Sequence, residues 1–525
     1  MRRFLCLAVA LPLAAQVPYE RLRQADAEPG NWLTYSGNYS AQRYSGLNQV
    51  TTGNVQRLRP VWTYQARTTD RMETSPLVVD GIMYVSEPGG SVTALDAATG
   101  RPFWKYTREM PKGVRGCCGE VNRGVAILND MVYVGTFDAH LVALDIKSGA
   151  VRWDSVVADP KLGHSITAAP LALKDKIVVG IAGGEYGIRG FVDAYDAKTG
   201  KRAWRFWTVP AAGEPGSETW QGDSAKNGAA TTWVTGAYDP EQNTVFWGTG
   251  NPGPDWNGDV RVGDNLYSDC LLALDADTGK LKWYFQFTPH DTHDWDSTEV
   301  PVLANAVVRG ETHQAVLFGN RNAFYYVLDR TTGKFLAGRA YAKQTWAKGL
   351  DDSGKPIVIA NTSPTTEGTT LYPDVGGGTN WFSPSYSPMT DLFYVPVREV
   401  GGVYLKGEAE YKPGAQFNGG GLRPISGEDP AGAIRALNPA TGELKWEFKL
   451  SSDAQAGVLT TAGNLLFAGS NEGDFFALDA TSGAALWHYQ TGAPIAANPV
   501  SYLSGGKQQI AIASGNAIFA FALEP

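Results

Sequence analysis

An all-β protein, an eight-bladed β-propeller with tryptophan-docking repeats, is the architecture that three observations predict. The 525-residue chain holds one phrase in seven copies, contains 16 Trp, and combines 61 Gly and 30 Pro with only 19% charged residues. That composition excludes a disordered or collagen-like chain and leaves a globular protein rich in turns. The length would serve several ordinary domains, but a closed β architecture can use it as one unit.

The repeated phrase reads Ala, an aliphatic or aromatic residue, Asp, two residues, Thr or Ser, Gly, three residues and Trp. It ends at Trp104, Trp153, Trp204, Trp283, Trp446 and Trp487, while a seventh copy ends at Ala337 where Trp is expected. Alternating apolar residues before the Asp predict a strand. Asp-x-x-Thr-Gly predicts a tight turn in which Gly supplies a positive φ, and the Trp lies on the next strand. Such a small sheet cannot bury both faces alone, and radial stacking with each Trp wedged between neighbours solves the problem. Trp62, which lacks a preceding turn phrase, supplies the eighth marker, and ring closure pairs Ala517 to Ala522 with the strand around it. Excess lengths between Trp204 and Trp283 and between Ala337 and Trp446 mark insertions, the places where a propeller usually carries its function.

Residues 1–15 read as a secretory signal peptide: Arg2 and Arg3, an apolar run from Phe4 to Leu13, then Ala14 and Ala15. The run is too short to span a bilayer, and no other stretch is long and apolar enough. Residues 16–525 are then one propeller domain with long insertions, in the periplasm. Cleavage removes two Arg and leaves 43 basic against 53 acidic side chains, which argues against a nucleic-acid partner. An acidic surface suits small molecules or a basic protein partner.

Cys6 lies in the leader, Cys270 in an apolar run, and Cys117 and Cys118 are adjacent. Adjacent cysteines form either a pair of buried thiols or, in an oxidising compartment, a strained eight-membered disulfide ring. No Cys-x-x-Cys-His occurs, which excludes covalently attached c-type haem.

Oxygen donors gather in three segments: Glu185 after Gly183-Gly184, Asn251 in GTGNP, and Asp291, Asp294 and Asp296 in TPHDTHDWDS. Without a Cys or His cluster beside them, carboxylate and amide oxygens suit a hard cation. Taken singly, each is also what a turn or cap employs. His290 and His293 are read as hydrogen-bonded structural residues in preference to ligands.

The repeats, Cys117-Cys118 and the phrases CCGEVNRG, GGEYGIRG, TTW, GTGNPGP, TPHD with DWD, GNRN and GGGTNW together resemble the quinoprotein alcohol dehydrogenases. These are methanol and ethanol dehydrogenases that bind pyrroloquinoline quinone (PQQ), and the similarity covers nearly the whole mature chain. The resemblance implies a quinone on the propeller axis between a stacking Trp, here Trp233 in Thr231-Thr232-Trp233, and a vicinal disulfide, here Cys117–Cys118. It implies cofactor contacts from Glu73, Arg123, Thr167, Gly183, Gly184, Thr231, Arg321 and Asn380. Metal ligands are expected at Glu185, Asn251 and the catalytic base Asp294, with Arg321 near the reacting oxygen.

Two residues beyond the base, where lanthanide-type relatives have Asp and calcium-type methanol dehydrogenases have a small neutral residue, the chain has Asp296. A further carboxylate suits a trivalent ion, so a lanthanide is expected in preference to calcium. A shift of the local alignment would move the base to Asp291 or Asp296. The activity implied is oxidation of a primary alcohol to an aldehyde, with electrons leaving to a separate soluble cytochrome c. No membrane span is expected, and a homodimer is an assembly the sequence leaves open.

Two positions depart from the family pattern: Ala182 stands where many members have Ser, and Gln455 or Ala456 where a Trp is common. Each lost contact costs about 1 kcal/mol of cofactor binding. The rival reading is a quinoprotein-like propeller that has lost its cofactor and serves as a binding or assembly scaffold. The pocket walls that sort alcohols are expected in long loops such as Lys343 to Thr379.

Overall fold

Each repeat becomes an antiparallel sheet. In the first, Leu77–Val79, Ile82–Glu87, Ser91–Asp96 and Pro102–Tyr106 follow one another, with Ala94 paired to Trp104. The turn between the last two strands is built as its sequence requires. Asp96 Oδ1 accepts from the Ala98 N–H at 2.8 Å, and Gly100 takes φ 71°. The computed structural model describes residues 16–524, and among these the strands form eight sheets of four or five strands plus two smaller ones. The leader expected over residues 1–15 lies outside the described residues. No helix among the described residues is long and apolar enough to cross a membrane.

One sheet joins the two ends of the chain. Val500–Ser504, Lys507–Ser514 and Ala517–Leu523 are completed by Leu58–Gln65, with Trp62 opposite Ala520. The pairing expected from the sequence is therefore present.

The Trp residues link one sheet to the next. Trp62, Trp104, Trp153 and Trp204 donate Nε1–H to the carbonyls of Ala97, Ile146, Ala197 and Ala276, each the residue after the turn Asp of the following repeat, all at 3.1 Å. Trp283 and Trp446 do the same to Arg330 and Ala480, while Trp487 donates to the carbonyl of Leu58, at the start of the strand that carries Trp62. The turn Gly has a second duty here. A Cβ on Gly100, Gly149, Gly279 or Gly333 would come within 2.5 Å of the preceding Trp ring, so these positions need both the left-handed backbone and the missing side chain.

Where Ala337 replaces Trp, Tyr325 takes over: its hydroxyl donates to the Pro439 carbonyl at 2.8 Å and its ring lies against Gly442. The inter-sheet contact survives through a residue from a neighbouring strand.

The two long intervals leave this pattern. After Ala337 come a hairpin, Ala347–Leu350 with Pro356–Val358, and a three-stranded sheet of Thr369–Leu371, Gly402–Lys406 and Gly420–Pro424. Between Trp204 and Trp283 the chain makes the loops that carry Trp233 and Asn251.

Replacing Trp204 with Ala removes a buried indole and its bond to Ala276. The expected cost is about 3–5 kcal/mol of stability, read as a lower denaturant midpoint, and an unchanged midpoint refutes the role given to these contacts.

Candidate functional site

Loops from several sheets converge on a cavity of about 320 Å³ lined by Glu73, Cys117, Cys118, Arg123, Thr167, Gly183, Gly184, Glu185, Thr231, Trp233, Asn251, Asp294, Asp296, Arg321 and Asn380. Every site residue expected from the sequence is among them. Asp291 is not: its carboxylate accepts from the backbone N–H groups of His293 and Trp295 at 2.9 and 2.8 Å and so stabilises its own loop. His293 is likewise structural, stacking on Trp295 and hydrogen-bonded through Nε2 to the Thr362 carbonyl. His290 bonds through Nδ1 to the Gly263 carbonyl.

Cys117 and Cys118 form a disulfide and are exposed, so the buried-thiol alternative is wrong. The reason lies in their loop, residues 107–121, which runs over the surface as a wall of the cavity and offers no apolar core for a thiol.

Backbone constraints aim the acidic side chains. Glu185 occupies the short turn Gly184–Tyr186, flanked by Gly183 at φ 118° and Gly187 at φ 62°. A Cβ on Gly183 would lie 2.2 Å from the Gly163 carbonyl. Asp294 has φ 61°, a left-handed conformation that Asp tolerates better than most residues and that is concentrated at functional sites. Gly250 allows the backbone of the Asn251 loop to approach Asp296, since a Cβ there would sit 2.2 Å from Asp296 Oδ1.

Asp296 is the most heavily bonded group of the cavity. It accepts from Asn251 N at 2.8 Å, from Trp233 Nε1 at 3.1 Å and from Arg321 Nη1. A carboxylate offers about four acceptor positions, so one remains for a cation. Asp294 lies 3.8 Å from Arg321 Nη2.

Burial raises the Asp294 carboxyl well above the usual range; Arg321 opposes this, while Asp296, Asp255 and Glu185 add to it. Burial, with a like-charge push from Asp296, also raises Glu185. For Arg321 burial works against the charge, but Asp296, Asp294 and Glu299 outweigh it and hold the guanidinium protonated.

Another part of the cavity wall carries guanidinium groups. Arg123 pairs with Glu73 at 2.9 Å and lies 5.0 and 4.6 Å from the Trp233 and Trp381 ring centres, yet its Nε and Nη1 hydrogens find no partner. Arg71 pairs with Glu73 at 3.1 Å and bonds to Gln455 at 3.3 Å. The two departures are thus located: Ala182 lines the cavity without a hydroxyl, and Gln455 meets it through Arg71.

Three participants escaped the sequence reading. Arg71 and Trp381 line the cavity, and Asp255 is buried and accepts from Asn251 Nδ2 at 2.8 Å. Arg71 stands two residues before Glu73, and Asp255 extends the GTGNPGP phrase; those adjacencies were the available signal. Of the segment Lys343 to Thr379, expected to form pocket walls, Val375 and Gly376 reach the cavity.

Gly250→Ala should displace the Asp296 carboxylate. About a tenfold loss of metal affinity is expected, measured by equilibrium dialysis, and unchanged affinity refutes the need for close approach.

Comparison with known proteins supplies the family. A family model described as "Glucose/ethanol/alcohol dehydrogenase, beta-propeller domain" matches residues 32–340, and one described as "Outer membrane protein assembly factor BamB" matches residues 426–523. The quinoprotein alcohol dehydrogenase PedH of Pseudomonas putida is 39% identical over 95% of this chain and 89% of its own length. The crystal structure of the quinohemoprotein alcohol dehydrogenase from Comamonas testosteroni superposes with a TM-score of 0.92 at 34% identity, over 97% of this chain and 82% of that one. A europium-containing methanol dehydrogenase gives 0.91 at 32% identity, over 96% and 100%. The enzyme reading therefore replaces the scaffold alternative, and the chain belongs to the PQQ-dependent alcohol dehydrogenases, the quinoprotein oxidoreductases.

Proposed function

We propose that this chain oxidises primary alcohols to aldehydes in the periplasm, exported through residues 1–15, as one eight-bladed domain over 16–525. The observation that carries this reading is the polarity of the cavity. Arg321, Asp294, Asp296, Glu185 and Asn251 line it together with the unpaired N–H groups of Arg123. Family membership implies PQQ and a metal ion, and the residues suit both. The orphaned Arg123 hydrogens match an anionic carboxylated ligand, and the oxygen donors match a hard cation.

When bound, PQQ supplies the carbonyl that accepts hydride, and the cation supplies Lewis acidity. Trp233 contributes a flat aromatic face and the Cys117–Cys118 disulfide another wall. Arg123, Glu73, Thr167, Gly183, Gly184, Thr231 and Asn380 provide polar contacts for the cofactor. Glu185, Asn251, Asp294 and Asp296 hold the cation. Asp294 takes the hydroxyl proton of the alcohol on a carboxylate oxygen. Arg321 adds a fixed positive charge where negative charge develops. Electrons leave to a separate soluble cytochrome c, whose basic face suits the acidic chain, net −8 over the full sequence.

A lanthanide is preferred to calcium. The third carboxylate, Asp296, lines the same cavity as Glu185 and Asp294, and attraction to a trivalent ion exceeds that to a divalent one at the same distance. The europium-containing neighbour supports this choice.

Asp294→Asn should abolish turnover with the melting temperature kept, and retention of near-wild-type rates refutes its role as base. In a dye-linked alcohol assay on apoprotein supplied with PQQ, a light lanthanide should restore activity where calcium does not. Restoration by calcium alone keeps the enzyme and removes the lanthanide preference.

A further inference from the structure

Asp255 is buried beside the proposed cation ligands, with 2% of its surface exposed. It accepts from Asn251 Nδ2 at 2.8 Å. Since a carboxylate oxygen can only accept, this bond fixes the amide so that its NH₂ faces Asp255 and its Oδ1 is turned elsewhere.

The carboxylate also lacks a cation of its own. The ion pairs of the cavity join Arg321 to Asp294 and Asp296, and Arg123 and Arg71 to Glu73, so among the described residues they leave Asp255 and Glu185 without a cationic partner within 4.0 Å. The nearby guanidinium is Arg261, fully buried. Its Nε donates to the Pro254 carbonyl, Nη1 to Asn265, and Nη2 to the carbonyls of Asp255 and Asp291, so it holds the backbone and leaves the Asp255 carboxylate unpaired. Buried carboxylates without a paired cation are costly, and the usual resolutions are a metal ion or protonation.

We infer that Asp255 is a positioning residue of the metal centre: its carboxylate holds the Asn251 amide with Oδ1 presented for coordination and adds a negative charge that favours a trivalent over a divalent ion. The inference rests on the reading above that a cation is held by Glu185, Asn251, Asp294 and Asp296. Arg261 completes the arrangement by tying the segment that carries Asp255 to the loop of Asp291, three residues before Asp294.

The two contributions separate in two variants. Asp255→Asn keeps an acceptor for Asn251 Nδ2 and removes the charge. Asp255→Ala removes both. Loss of one charge weighs half again as much, in free energy, on a trivalent ion as on a divalent one, so a tenfold loss for calcium corresponds to about thirtyfold for a lanthanide. Loss of the amide's partner weighs on both ions alike, within the range of about tenfold to a hundredfold typical of residues that orient a metal ligand.

The experiment is competition binding of La³⁺ and Ca²⁺ to the purified full chain loaded with PQQ, alongside Tb³⁺ luminescence excited through tryptophan. Melting of the metal-free protein gives the folding control. Asp255→Asn should lower the La³⁺/Ca²⁺ affinity ratio with the metal-free melting temperature unchanged or raised, and Asp255→Ala should weaken both ions further. Wild-type affinities and an unchanged ratio in Asp255→Asn overturn the inference, as does a fall in metal-free melting temperature without a change in metal affinity. Should the wild-type chain bind neither ion stoichiometrically, the metal reading fails and takes this inference with it, an outcome visible before any variant is made.

Discussion

Concentrating several carboxylates and guanidinium groups around one partly buried cavity is the constraint on which the rest of this structure depends. Such charges are tolerable only when each is paired, hydrogen-bonded or matched by a ligand. Asp296 meets that condition with Asn251, Trp233 and Arg321, and Glu73 meets it with Arg71 and Arg123. Glu185, Asp255 and the free N–H groups of Arg123 are left over, and in the proposed function a cation and an acidic cofactor would answer them. A site of this kind needs rigid walls, because a slack one would relax by turning its charges toward water. The sheets provide that rigidity through indole-to-carbonyl contacts made from one to the next.

Much of the fold was legible because its signal is local and repeated. The turn Asp, the Gly and the Trp fall within one phrase, so a single copy predicts two strands and seven copies predict a series of sheets. The substitute at Ala337 was not legible, since Tyr325 lies on the preceding strand and Tyr is common at such positions for other reasons. Most of the candidate site was legible only in combination. Glu185, Asn251 and Asp294 are each ordinary loop residues, and the phrases around them carry the information. Asp255 escaped because what marks it is a hydrogen bond and a missing counterion, and neither is a property of sequence. Arg71 escaped for a related reason: its neighbour Gln455 lies 384 residues away.

The insertions have a plain mechanical purpose. The segment carrying Phe417 and Asn418 bonds to the Glu185 carbonyl at 2.6 Å and to Trp256 N at 3.0 Å, while Arg261 ties the turn at Pro254 and Asp255 to the Asp291 loop. Loops far apart in sequence thereby support one another at the acidic end. Long surface loops usually sacrifice precision for freedom to vary, and these recover precision by hydrogen-bonding to each other's backbones.

The sheet that unites Leu58–Gln65 with Ala517–Leu523 is joined by hydrogen bonds, as is the pairing of Tyr44–Ser45 with Leu459–Thr461, whereas the other four-stranded sheets are joined through the continuous chain as well. Topologically it is a clasp, and the position of a clasp on a ring is arbitrary. Joining the two termini by a linker and opening one of the exposed Asp-x-x-Thr-Gly turns would transfer the clasp to another sheet and leave the order of strands around the molecule unchanged. The placement of the chain ends is thus independent of the chemistry in the cavity, which leaves evolution and the protein engineer free to attach further domains at different points along the chain.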